Sequence, residues 1–116
     1  MKDIFSLKNK VAVVTGGSMG IGAMIAEGFL NFGAKVYLVA RNADQLKAKQ
    51  EELSKLGECE IISADLKDIA GIKQLVSQFA EKESQLDILV NNAGISDGGK
   101  ALDLSLIHIS EPTRPY

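Results

Sequence analysis

The residues best suited to binding a ligand are the glycines at 16, 20 and 22 in the segment Thr15–Gly22, whose sequence is TGGSMGIG. The first lets the chain turn sharply, the second removes a Cβ where a phosphate must approach the backbone, and the third allows close packing of a following helix. Free N–H groups and the positive dipole end of that helix attract a diphosphate. The alternative is a tight strand–helix turn that binds no ligand. The predicted phosphate-binding residues are Gly16, Ser18, Met19, Gly20, Ile21 and Gly22.

Three further polar groups follow apolar segments that are predicted to be strands. Arg41 follows the second segment, Asp65-Leu66 follows the third, and Asn91–Gly94 ends the fourth. Ligands of open parallel sheets bind at the carboxyl ends of the strands, so we expect these residues beside the glycine turn. Each has a simpler alternative: Arg41 as a solvated loop cation, Asp65 as a helix N-cap, and the two asparagines as turn formers.

The strands and helices that must position these residues are predicted from the pattern of apolar residues, in which short apolar segments alternate with segments of helical spacing. Short apolar segments at 10–15, 35–40, 59–63 and 86–91 predict four buried parallel strands. Apolar residues at helical spacing predict helices at 20–32, 43–56 and 68–83. This alternation predicts an α/β fold with right-handed crossovers. The helix residues expected in the core are Ile21, Ile25, Ala26, Phe29, Leu30, Leu46, Leu53, Leu56, Ile69, Ile72, Leu75, Val76 and Phe79.

Composition and charge argue against several other classes of protein. The chain has 116 residues, 46% of them hydrophobic, which fits one small domain. A net charge of -2 without a Lys/Arg cluster gives no reason to expect nucleic acid or a membrane as partner. The single cysteine, Cys59, cannot form an internal disulfide, and we find no signal peptide, so a cytoplasmic protein is expected. No metal site is predicted.

The three motifs together resemble the short-chain dehydrogenase/reductase family over residues 5–103. The glycine spacing G-x-x-x-G-x-G, the Asp-Leu pair and the sequence NNAG at 91–94 occur in the family's order. The resemblance implies the N-terminal half of a Rossmann-type doubly wound parallel sheet with strand order 3-2-1-4. It also implies that Asp65 accepts from the adenine amino group and that the NNAG segment lies along the adenosine ribose. The binding residues expected at these strand ends are Arg41, Asp65, Leu66, Asn92, Ala93 and Gly94.

Arg41 predicts the type of coenzyme. An acidic residue at the end of the second strand would bind a ribose 2′-hydroxyl, whereas a guanidinium binds a 2′-phosphate through two parallel hydrogen bonds. NADP(H) is therefore favoured over NAD(H). The chain departs from many NADP-binding relatives at Met19, where they have a second basic residue.

A narrower resemblance is to the rhamnolipid-biosynthesis type of 3-oxoacyl-acyl-carrier-protein reductase. It implies NADPH-dependent reduction of a carbonyl on a small-molecule or acyl-carrier-bound substrate, in a parent protein that forms a homo-oligomer, a dimer or tetramer. Asp97 stands where those relatives have an aromatic residue. Alternatives are another alcohol, sugar or steroid dehydrogenase, a non-catalytic dinucleotide sensor, and an inactive relative. The residues that carry this resemblance include 5–7, 24–26, 53–54, Gly57, Cys59, Ser96 and Gly98.

The last residues differ from the rest of the chain. Both prolines and the only histidine, His108, lie in the final nine positions, and residues 104–114 resemble a translated sequencing adapter. We therefore predict a partial dinucleotide-binding domain at 1–103 and a non-native read-through tail at 104–116; the alternative is a genuine C-terminal strand. The family's catalytic Ser, Tyr, Lys and Asn are not found. Neither Tyr37 nor Tyr116 begins a Tyr-x-x-x-Lys pattern, so no catalytic residue is assigned and the fragment itself is expected to be inactive.

Overall fold

The computed structural model describes residues 6–16 and 20–92. The structure confirms the predicted alternation of strands and helices, and two element ends differ from the prediction by more than one residue. The second helix ends at Leu53 rather than at 56, and the fourth strand begins at Ile88 rather than at 86. The elements are β1 (Val11–Thr15), α1 (Gly20–Asn31), β2 (Lys35–Ala40), α2 (Ala43–Leu53), β3 (Cys59–Ser63), α3 (Ile69–Lys82) and β4 (Ile88–Asn91).

The four strands form one parallel sheet in the order β3-β2-β1-β4, which confirms the predicted order. In the centre of the sheet β1 is fully buried, as the apolar segment predicted. Strand β4 pairs with β1 from Ala12 opposite Ile88 to Thr15 opposite Asn91. Its three apolar residues remain partly exposed, because within the described residues β4 has a neighbouring strand on one side only.

Helices cover both faces of the sheet. Residues such as Val13 and Tyr37 pack with α3 on one face, whereas Val14 and Leu38 pack with α1 and α2 on the other. Helices α1 and α2, which connect β1 to β2 and β2 to β3, lie on one face of the sheet. Helix α3, which connects β3 to β4, lies on the opposite face. All three crossovers therefore have the same hand, as parallel connections normally do.

Local chemistry explains where the helices begin and end. Gly33, with φ 100°, provides the left-handed residue just after α1, as its position after Asn31 predicted. Asn42 caps α2 because its side chain accepts a hydrogen bond from Gln45 N. Asp68 caps α3 in the same way, accepting from Gly71 N at 2.9 Å.

Three residues expected in the core are exposed instead. Ile21 is 66% exposed, Ile69 53% and Leu56 40%. Ile21 and Ile69 lie in the first turns of α1 and α3, and Leu56 follows the end of α2. A core prediction from helical periodicity assumes that the rest of the protein covers the apolar side of the helix along its whole length. These three positions lie at or beyond the helix ends, so that assumption fails there.

A polar cluster ties the start of β2 to the end of α3. The Tyr37 hydroxyl donates to Glu83 Oε2 at 2.6 Å, and Lys35 Nζ lies 2.6 Å from the same oxygen. Phe79 contacts the Tyr37 ring edge-on, with ring centroids 5.1 Å apart. Burial and the Glu83 hydrogen bond raise the pKa of Tyr37 well above its usual value. This tyrosine therefore stays neutral and acts as a structural donor.

Candidate functional site

The predicted binding residues lie at the carboxyl edge of the sheet. Because the strands are parallel, β1, β2, β3 and β4 all end at this edge, at Thr15, Ala40, Ser63 and Asn91. Thr15 pairs with Val39 and with Asn91, and Ala40 pairs with Ser63. The loops that leave neighbouring strands therefore start about 5 Å apart, and all four loops start along this one edge.

The glycine turn leaves β1 in a conformation that favours glycine. Gly16 has φ 71°, and its N–H donates to the carbonyl of Val39 at 2.7 Å. Gly20 has φ 57° at the first position of α1, and a Cβ added there would meet no atom of the described residues within 4 Å. The backbone at the start of α1 is therefore accessible from solvent, as a bound phosphate requires. Exposed Ile21 follows at this end of the helix, while Ser18 and Met19 lie outside the described residues.

Gly22 brings α1 against the turn itself. A Cβ on Gly22 would overlap the carbonyl oxygen of Gly16 and would lie 2.9 Å from Asn92 Nδ2. The expected close packing is therefore present, but its partners are the turn after β1 and the residue after β4. Gly22 thus joins two of the predicted motifs in one contact.

Thr15 connects the same two motifs, and sequence reasoning did not single it out as a functional residue. Its hydroxyl accepts a hydrogen bond from Asn92 N at 2.8 Å and lies 3.1 Å from Asn91 Oδ1 and 3.3 Å from Val90 O. The threonine is fully buried. A threonine at the last position of a buried strand, directly before a glycine, was the available signal. Ala93 and Gly94 lie outside the described residues.

Arg41 is exposed immediately after β2, at the predicted edge. Its backbone is held from two sides: Asn42 caps α2, and the Ser63 hydroxyl donates to the Arg41 carbonyl at 3.0 Å. Sequence reasoning did not identify Ser63, because the contact joins positions on neighbouring strands. The guanidinium extends from a fixed backbone position, which suits an exposed ligand anion.

Asp65 lies two residues beyond the end of β3 and is half-buried. Its Oδ1 accepts from Lys67 N at 3.0 Å, which forms a local turn. The alternative that Asp65 caps the following helix is wrong, because Asp68 occupies the N-cap of α3. Leu66 is partly buried against the core on the α3 face of the sheet. A carboxylate has about four acceptor sites, so Asp65 retains acceptor capacity for a ligand.

Two other reactive side chains are structural. Tyr37 lies on β2 within the Glu83 cluster and does not reach the carboxyl edge. Burial raises the pKa of the Cys59 thiol to about 11, so the thiol is protonated at neutral pH and a poor nucleophile. Within residues 6–16 and 20–92 no cluster of three His, Cys, Asp or Glu side chains could hold a metal. None of the helices in this part of the chain is long and apolar enough to cross a bilayer.

We compared the sequence with protein families and with individual known proteins, and the two comparisons agree. The family model described as short chain dehydrogenase matches residues 10–111. The chain is 48% identical over 98 residues to the rhamnolipids biosynthesis 3-oxoacyl-acyl-carrier-protein reductase of Pseudomonas aeruginosa, covering 84% of this chain and 38% of that protein. It is 39% identical over 100 residues to the oxidoreductase UcpA of Salmonella typhimurium, covering 85% of this chain and again 38% of the relative.

Solved protein structures are also similar to this chain. The Pseudomonas aeruginosa RhlG/NADP complex has a TM-score of 0.80 and 48% identity, over 83% of this chain and 39% of that one. L-Sorbose reductase from Gluconobacter frateurii, complexed with NADPH and L-sorbose, has a TM-score of 0.75 and 33% identity, over 91% of this chain and 43% of that one. The chain thus spans about two fifths of the length of these relatives. With the family model matched over most of its residues, this chain belongs to the short-chain dehydrogenase family.

Proposed function

We propose that the chain forms the NADP(H)-binding part of an oxidoreductase that reduces a carbonyl group to an alcohol. One observation carries the proposal: the accessible start of α1 at Gly20 lies at the same sheet edge as Arg41, Asp65 and Asn92. A dinucleotide with its diphosphate at the start of α1 and its adenosine beside β2 and β3 would use all of these groups. The NADP and NADPH complexes of similar structures support this choice of coenzyme.

In this proposal the described residues bind and orient the coenzyme. Backbone N–H groups from Gly20 to Gly22 hold the diphosphate, and Arg41 pairs with the 2′-phosphate. Asp65 accepts from the adenine amino group, with Leu66 beside it, and Asn92 lies along the ribose. The bound coenzyme supplies the hydride. Ser18, Met19, Ala93 and Gly94 remain predicted contacts, and no residue is assigned as proton donor.

The substrate proposed for the whole protein is a 3-oxoacyl thioester carried on a small molecule or an acyl carrier protein. The 48% identity to a 3-oxoacyl-acyl-carrier-protein reductase supports it. A sugar is the second candidate, supported by the 33% identity to L-sorbose reductase. A cytoplasmic homo-oligomer remains the expected form of the whole protein.

Binding of NADPH and NADH to the 116-residue chain, measured by titration calorimetry, tests the coenzyme assignment. We expect NADPH to bind about tenfold more tightly, because an Arg–phosphate pair is a strong charge-assisted contact. Arg41→Ala should remove that preference and leave NADH affinity unchanged. Lys47→Ala, which removes an exposed cation from α2, is the matched control and should retain the preference. Absence of binding by both coenzymes would refute the proposal.

Turnover is tested on the full-length protein that contains this chain. Oxidation of NADPH is followed spectroscopically with a 3-oxoacyl thioester and, separately, with L-sorbose. Faster turnover of the thioester supports the first substrate and faster turnover of L-sorbose the second. Binding of NADPH without turnover of either substrate contradicts both substrate assignments and leaves the coenzyme assignment intact.

A further inference from the structure

The start of α3 lies in direct contact with the backbone of Asp65. A Cβ added to Gly71 would overlap the Asp65 carbonyl oxygen and would lie 2.6 Å from the carbonyl carbon. The overlapping atoms are backbone, which no side-chain rotation can move away. Gly71 is also buried.

The backbone conformation of Gly71 does not itself require glycine. The described glycines with positive φ are Gly16, Gly20 and Gly33, and Gly71 is an ordinary helical residue. Space is therefore the reason for glycine here. A useful contrast is Gly28 in α1, which also has no positive φ but where an added Cβ would meet no atom within 4 Å in the described part of the chain.

The segment from Asp65 to Gly71 is held at both ends. Ala64 N donates to the Ala40 carbonyl at 3.0 Å, which joins the segment to β2. Asp65 Oδ1 accepts from Lys67 N at 3.0 Å, and Asp68 Oδ1 accepts from Gly71 N at 2.9 Å. With the strand end fixed, a Cβ at position 71 can be accommodated only by moving Asp65 or the start of α3.

We infer that Gly71 is a positioning residue that sets the place of the Asp65 carboxylate for recognition of the adenine amino group. The inference rests on the proposed function, in which Asp65 accepts from that amino group. Gly71 touches no coenzyme atom in this scheme. It acts by allowing α3 to start against the Asp65 carbonyl, and thereby fixes the turn from which the carboxylate extends.

The test compares two ligands that differ at one group of the base. NADP⁺ carries a 6-amino donor on adenine, whereas its analogue with unsubstituted purine carries only hydrogen at that position, cannot donate from it to a carboxylate, and keeps N1 as an acceptor. The ratio of their dissociation constants therefore measures the Asp65 hydrogen bond. Partial unfolding of a variant reduces both apparent affinities by the same factor, so the ratio is unaffected by it.

We expect the 116-residue chain to prefer NADP⁺ over the analogue by about tenfold, the size of one hydrogen bond to a charged group. Gly71→Ala should reduce the ratio to nearly one, as Asp65→Asn should. The matched control Gly28→Ala should keep the full ratio. Asp68→Ala loosens the same turn without steric overlap, so we expect it to reduce the ratio of dissociation constants only partly. This variant tests the positioning role if Gly71→Ala does not fold.

The outcomes separate the inference from the proposed function. A wild-type chain that binds neither ligand, or binds both equally, overturns the assumed role of Asp65 and the inference with it. A wild-type preference that survives unchanged in Gly71→Ala, or in Asp68→Ala if the first variant does not fold, refutes the positioning role alone. Loss of the preference in Gly28→Ala also refutes it, because that glycine has no contact with the Asp65 turn.

Discussion

At the scale of single residues, Thr15 does more than end a strand. Its one hydroxyl accepts from Asn92 N and lies within hydrogen-bond distance of Asn91 Oδ1 and Val90 O. Because the threonine is fully buried, loss of its hydroxyl would leave Asn92 N without this acceptor. The threonine thus holds the ends of β1 and β4 in register beside the glycine turn.

Thr15→Val keeps the shape of the side chain and removes the hydroxyl. We expect the free energy of unfolding to fall by about 1 to 3 kcal/mol, since Asn92 N–H is left without its acceptor. Urea unfolding followed by circular dichroism measures the loss. Thr15→Ser retains the hydroxyl and should cost less than Thr15→Val. A larger loss in Thr15→Ser than in Thr15→Val would show that the methyl group matters more than the hydrogen bond.

Glu83 gives a residue-scale prediction about pH. Burial alone would raise its pKa, but the hydrogen bonds from Lys35 and Tyr37 outweigh burial and hold the pKa below the ordinary value of 4.5. A carboxyl with a depressed folded-state pKa stabilises the fold above its unfolded pKa. That stabilisation is lost as the pH falls through the folded-state value.

Glu83→Gln should therefore lower the unfolding free energy by about 1 kcal/mol at neutral pH. The difference from wild type should shrink as the pH falls below 4.5, the ordinary pKa of the group. Urea titrations at a series of pH values measure it. Glu81→Gln, an exposed change in the last turn of the same helix, is the control and should show no such pH dependence. A difference that is constant with pH would contradict the role given to the Glu83 charge.

At the scale of elements, the position of α1 depends on one missing side chain. Gly22 lies against the Gly16 carbonyl and Asn92, so the helix begins close to both β1 and β4. Gly28 lies on the same helix, and among residues 6–16 and 20–92 no atom comes within 4 Å of a Cβ added there. The two glycines share a helix and a residue type, yet only the first is required for packing.

Gly22→Ala should destabilise the chain by about 1 to 3 kcal/mol, because the added methyl overlaps backbone and forces α1 away from the turn. Gly28→Ala should stabilise it by roughly 0.5 to 1 kcal/mol, because alanine is the better helix former. Thermal unfolding of both variants measures the effects. If Gly22→Ala left the melting temperature unchanged or raised it, the close contact at Gly22 would not limit the position of α1.

At the scale of the whole molecule, β4 differs from the other strands. Within residues 6–16 and 20–92 it pairs with β1 alone, and Ile88, Leu89 and Val90 are each partly exposed. The strand, Ile88–Asn91, carries no charge and no proline. An apolar edge of this kind readily pairs with another chain.

We therefore expect the 116-residue chain to associate with itself as its concentration rises. Sedimentation velocity over a tenfold or wider range of concentration measures the change in size. A coenzyme bound at the carboxyl edge lies away from the outer edge of β4, so NADPH should not abolish the association. A concentration-independent monomer would contradict this prediction.

Periodicity and local motifs were sufficient to predict much of the architecture. The alternation of strands and helices and the glycine turn are local features, because each depends on residues a few positions apart. The family resemblance, carried by three short motifs in order, implied the strand order that the sheet has. The exposed Ile21 and Ile69 were placed wrongly because periodicity does not show where the opposing surface ends.

The sequence by itself therefore determined the family, the order of the elements and the residue types at the carboxyl edge of the sheet, because short-range sterics and hydrogen bonding set turns, caps and strands. Only the tertiary structure decided that Thr15 bonds to Asn92 N, that Gly22 lies against Asn92, and that Gly71 lies against Asp65. The first two contacts join β1 and α1 to a residue far along the chain, and the third depends on how α3 packs on the sheet. Such distances are set by close packing in three dimensions, which no spacing in the sequence specifies.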